Sequence, residues 1–113
     1  MKKVIFIEDK YHKIWVRIIH KDYDLFIKEV KRWLPKWEAP ELESAVMGRT
    51  VYTGSGHCII FLRKRDLWVV VHELLHLLVY VLNRRGYVLS SDSEEAYAYW
   101  LQYFFEEYIR LSK

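Results

Sequence analysis

The residues best placed to do chemistry are His72-Glu73-Leu74-Leu75-His76, an HExxH pattern. Two histidines four positions apart on a helix lie ~40° apart around its axis and about one turn apart along it. Their rings can therefore meet on one zinc ion. Glu73, next to the first ligand, can reach water activated by that ion and act as general base. The setting strengthens the reading. Leu67 to Leu82 has only three polar members, His72, Glu73 and His76. Burying two imidazoles and a carboxylate in an apolar helix costs free energy unless they are paired, hydrogen-bonded or metal-bound.

A catalytic zinc takes three protein ligands and keeps one position open. Glu94 and Glu95 open the next helical segment, and eighteen residues lie between His76 and Glu95. That gap holds the rest of one helix, a turn and the start of an antiparallel one. Ala98, three residues after Glu95, would let the two helices approach closely. Glu95 is thus favoured as third ligand, and Glu94 fits a role at the helix start, where acids complement the macrodipole. For the oxyanion, Tyr99, Tyr52, Tyr97 and His57 all compete as donors.

HExxH followed eighteen residues later by Glu95-Ala96-Tyr97-Ala98 resembles the gluzincin class of zinc metallopeptidases. In that class a second, glutamate-bearing helix supplies the third ligand, and the aminopeptidase branch carries Glu-Gly-Phe-Ala there. The chain is also similar to small archaeal and phage- or virus-encoded zincin-like proteins, through Asp92-Ser93-Glu94-Glu95-Ala96-Tyr97-Ala98-Tyr99. The resemblance covers residues 57–105. It implies a zinc-dependent metallopeptidase with His72, His76 and Glu95 as ligands and Glu73 as base and acid, acting on a peptide or protein substrate. It also implies an edge strand that holds the peptide, for which 57–63 is the candidate. Two features depart from the class. Tyr99 stands where thermolysin-type members have Asp, and only eighteen residues follow Glu95. An inactive or self-inhibited zincin scaffold that binds a protein is therefore the alternative.

These residues need elements to hold them. Runs rich in β-branched and aromatic residues at 4–8 and 11–19 predict a hairpin, with His12 and His20 expected on outer strand faces. Asp22 or Asp24 can cap a helix over Leu25 to Leu34, which Pro35 ends. Strands are expected over 44–53 and 57–64. In the second, His57, Ile59, Phe61 and Arg63 share one face, and Cys58, Ile60, Leu62 and Lys64 the other. Helices are expected over 67–82, buried because it is apolar nearly all round, and over 93–111. The order ββα, ββ, αα predicts an α+β fold with a small, largely antiparallel sheet packed on helices, zincin-like in its HExxH helix and following glutamate helix. We expect one domain over 1–113, with 1–65 the sheet-rich part and 66–113 the two helices.

With 113 residues, 52% hydrophobic and 17% aromatic, the chain excludes disorder and any large cofactor fold. Its one cysteine, Cys58, excludes an intrachain disulfide. No signal peptide is evident, and 67–82 is short for a membrane span. The expectation is a cytoplasmic protein with no membrane role. Residues 1–65 hold 14 Lys/Arg against 8 Asp/Glu. These charges are spread among apolar residues, the look of outer strand and helix faces, and a nucleic-acid-associated basic module using Trp15, Trp33 and Trp37 is a further, less favoured alternative. The aromatics at 97, 100, 103, 104, 105 and 108 exceed what packing on one neighbouring helix would bury. They point to a protein partner or a homodimer.

Overall fold

A computed structural model describes residues 3–113. Among them the order is β1 (Val4–Asp9), β2 (Ile14–His20), α1 (Tyr23–Trp33), β3 (Gly48–Gly54), β4 (His57–Leu62), α2 (Leu67–Arg84) and α3 (Glu94–Leu111). The fold is α+β, with a mixed, mostly antiparallel four-stranded sheet in the order β1-β2-β4-β3. β1 pairs β2 and β3 pairs β4 antiparallel, whereas β2 and β4 run parallel.

Helices cover both sheet faces. Alternation along β4 decides what each face packs. Cys58, Ile60 and Leu62 join Val16, Ile18, Leu74, Leu77, Leu78, Phe104 and Tyr108 under α2 and α3. Ile59 and Phe61 join Ile19, Phe26 and Val30 under α1. All six β4 residues are buried, as a central strand covered on both faces requires.

Local chemistry sets the ends. Asp22 caps α1, its Oδ1 accepting the Leu25 N–H at 3.0 Å. The β1–β2 turn is longer than its sequence suggests, because β2 begins only at Ile14. Lys13 takes a left-handed φ of 56° there. Asp9 holds the turn through the His12 N–H at 3.1 Å and the His12 Nδ1 at 2.7 Å. Gly86, at φ 91°, follows α2 in the left-handed region that favours glycine.

Four expectations change. The first is the edge: β4 lies inside the sheet, paired on both sides, so 57–63 cannot take up a peptide, and β3 is the edge strand instead. The second is the shielding of α2, which runs to Arg84 and leaves Leu67, Trp68 and Leu75 exposed. At 18 residues and mean hydropathy 1.3 it has the length and composition of a membrane span, yet it packs on β3 and β4. The third is His20, expected on an outer face. It is buried, with Nε2 2.8 Å from the Tyr108 hydroxyl. The fourth is the surplus of aromatics on α3. Tyr97, Phe104 and Tyr108 are buried, and Trp100, Tyr103 and Phe105 pack half-buried against the same core. The sheet supplies what a single helix neighbour would not. Trp100 Nε1 donates to Asp9 Oδ2 at 3.0 Å and the Tyr103 hydroxyl donates to the Glu8 carbonyl at 2.8 Å.

Candidate functional site

α2 lies over β3 and β4, and α3 lies beside it over β1. The flank of α2 next to the sheet edge carries the HExxH residues. Glu73 points inward and is 5% exposed. Its Oε1 accepts the Thr50 hydroxyl at 2.7 Å, and its Oε2 lies 3.9 Å from His72 Nε2. A buried carboxylate needs such a donor, since an unsatisfied one costs several kcal/mol. Strand alternation places Gly48 on the same face as Thr50, and the reason for glycine is steric. A Cβ there would come 2.9 Å from Glu73 Cγ and 3.0 Å from Oε2.

His72 and His76 are exposed and converge, with their Nε2 atoms 3.2 Å apart. Two nitrogens at ~2.05 Å on one tetrahedral zinc stand ~3.3 Å from each other. The pair therefore fits two ligand positions of a single ion. His76 also stacks on Tyr80, at 6.1 Å between ring centroids. Beside His72 and Glu73 a cleft of about 410 Å³ opens, walled by Met47, Gly48, Trp68 and Val69. That is ample for one amino-acid side chain.

Glu95 is not brought to this pair. α2 continues eight residues past His76, a rise of ~12 Å. The start of α3 is tied to the segment after α2 by the Tyr97 hydroxyl, which donates to the Tyr87 carbonyl. α3 also sits on the flank of α2 away from β3. The inward stripe of α3 runs through Tyr97, Leu101, Phe104 and Tyr108. Glu94 extends that stripe beyond the core. Glu95 continues the outer side with Tyr99 and Gln102, and both glutamates are exposed. Among the described residues no group of three or more His, Cys, Asp and Glu side chains is gathered as a metal site.

The remaining candidates separate by location. Tyr52 shares the Thr50 face of β3 but packs farther along α2, against Tyr80 and under the Arg84 guanidinium at 4.3 Å. Tyr99 is 73% exposed on α3. Tyr97 is spent on its bond to the Tyr87 carbonyl. His57 faces α1, on the side of the sheet opposite α2, stacked on Trp15 and edge-on to Trp33 at 4.5 Å. Burial, reinforced by the nearby Arg17 guanidinium, lowers its pKa to about 3. Trp15 and Trp33 pack on each other at 5.3 Å and Trp37 packs on Phe26, so these rings serve the α1 face. Cys58 is fully buried, and burial raises its thiol to about 12.

Thr50, Gly48 and Met47 escaped the sequence reading. A signal existed: glycine and threonine two apart in a strand mark one face where a backbone or side chain comes close. Nothing in the sequence said which helix would lie there. Comparison of the chain with protein-family models, curated proteins and solved structures finds no match.

Proposed function

We propose that the chain is a zinc-dependent peptide hydrolase centred on His72, Glu73 and His76. The observation that carries this reading is the 3.2 Å convergence of the two Nε2 atoms beside a buried carboxylate. His72 and His76 would hold the ion. A zinc ion there supplies Lewis acidity, polarising a carbonyl and acidifying water. Glu73 takes a proton through Oε2, the oxygen on the His72 side, while Thr50 fixes Oε1. The same carboxyl then returns the proton to the leaving amine. Met47, Trp68 and Val69 wall the space where a substrate side chain sits. The free edge of β3, next to Glu73, offers backbone groups to an extended peptide. A reducing, cytoplasmic setting suits a chain whose one cysteine is a buried thiol.

The resemblance assigns the third ligand to Glu95, whereas α3 holds it on the opposite flank. That placement favours a second reading, in which the chain alone binds zinc through two histidines and is catalytically incomplete. Zinc titration of the metal-stripped chain tests both. His72→Ala and His76→Ala should each lower affinity at least a hundredfold. Glu95→Ala should change it less than threefold; a loss matching the histidine variants would mean that 87–94 re-seats and brings Glu95 across. Hydrolysis of a casein-type substrate that disappears in Glu73→Gln supports the hydrolase. A chain that takes up no zinc at micromolar concentration removes it.

A further inference from the structure

The outer face of α2 is built like a helix-packing seam. Trp68, His72, Leu75 and Val79 follow a 4-3-4 spacing, the spacing by which one helix packs along another. Among the described residues little covers three of them: Trp68 is 79% exposed and Leu75 39% exposed, and the His72 side chain is 67% exposed, while Val79, at the far end, is partly buried against the core. His76 borders the same arc, ~40° around the helix from His72. The face carries no formal charge from Leu67 to Leu82, because Glu73 turns inward. An uncharged face suits self-association, since a twofold contact sets each patch against itself and a charged one would repel its copy.

The spacing is also its own reverse. An antiparallel second copy would place Trp68 against Val79 and His72 against Leu75, with the twofold axis midway along the seam. The midpoint of the His72/His76 pair falls within ~1 Å of that axis, measured along the helix. The chain offers two zinc ligands at tetrahedral spacing and, among the described residues, no third. A second copy offers two more in the same place.

We infer that His72 and His76 of two copies together hold one zinc ion on a twofold axis between antiparallel α2 helices. This rests on the reading that the histidine pair binds zinc, and it gives that site a regulation. Four imidazoles close the coordination shell, as in structural zinc sites, and leave no open position. The dimer is thus a resting form, and hydrolysis belongs to copies that have parted.

The test uses the full chain, stripped of metal and titrated with zinc chloride, with mass followed by sedimentation and zinc content by atomic absorption. The expected result is one zinc per two chains, a doubling of mass on zinc addition and its reversal by chelator. X-ray absorption should show four nitrogen neighbours at ~2.0 Å and no carboxylate oxygen. Leu75→Glu, at an exposed position, should stay monomeric with native circular dichroism and bind zinc at least tenfold more weakly, at one per chain. One zinc per monomer, with affinity unchanged in Leu75→Glu, overturns the shared site and leaves the hydrolase reading standing. No zinc uptake overturns both. A dimer that persists in the His72→Ala/His76→Ala double variant without metal overturns the inference, as does binding of the zinc-loaded chain to anionic vesicles as a monomer through α2.

Discussion

Glu73 shows how much one side chain depends on its neighbours. Its carboxylate is buried, held on one oxygen by Thr50 and on the other side by the narrow space above Gly48. Thr50→Val removes the donor and leaves the carboxylate short of a bond, a cost of ~1–3 kcal/mol. Urea unfolding at neutral pH should register that loss, and the proposed hydrolysis, with its carboxyl released, should fall more than tenfold. His57 makes a different prediction. Thr53 Oγ1 donates to the His57 carbonyl at 3.0 Å and lies 2.6 Å from Nδ1, so the ring donates from Nδ1 to Thr53. Nε2 is then the bare nitrogen, buried between tryptophans with no hydrogen-bond partner among the described residues. The folded chain keeps this ring neutral down to about pH 3, while the unfolded chain protonates it below ~6.5. Stability from this group is therefore complete above ~6.5 and declines as pH falls toward 3, by at most ~1.4 kcal/mol per pH unit. Urea midpoints of His57→Phe should be flatter across that window than those of the parent chain; parallel curves would show that the ring titrates normally.

At the scale of elements, α2 and β3 act as a unit. Gly48→Ala puts a methyl where Glu73 now sits. The flexible carboxylate yields before the backbone does, so the thermal midpoint should drop only a few degrees. A misplacement of ~1 Å, however, costs a catalytic group about a hundredfold. For the proposed hydrolysis, a near-normal melting curve with a rate reduced to that degree is the expected outcome, and an unchanged rate would mean the carboxylate has slack. Here it becomes clear what the residues alone could tell. The HExxH helix, the two faces of β4 and the cap at Asp22 were legible, because periodicity and capping are local chemistry. The edge was not. Which strand lies outermost depends on the parallel pairing of β2 with β4, residues some forty positions apart, and no local pattern encodes that choice. α3 failed in a related way. The gap from His76 to Glu95 fits many helix lengths, and α2 used more of it than a minimal turn would.

At the scale of the molecule, the sheet separates two environments. The face under α1 is aromatic and dry around His57, and the face under α2 and α3 carries the histidine pair at its margin. Both cores meet on β4, so loss of packing on either side is felt on the other. Cys58 sits there, a thiol with no exposure and a pKa raised to about 12. Only the thiolate reacts with disulfide reagents, and Cys58 gains access and ionisation when the core under α2 and α3 opens. The chain thus carries its own stopwatch for opening. Under native conditions, modification by a chromogenic disulfide should proceed at a rate set by the opening of that core and largely indifferent to α2 surface variants such as Leu75→Glu. Zinc that clamps two copies should slow it in proportion to the stability the ion adds. A single absorbance trace would then time the parting of the helices from the sheet on which they rest.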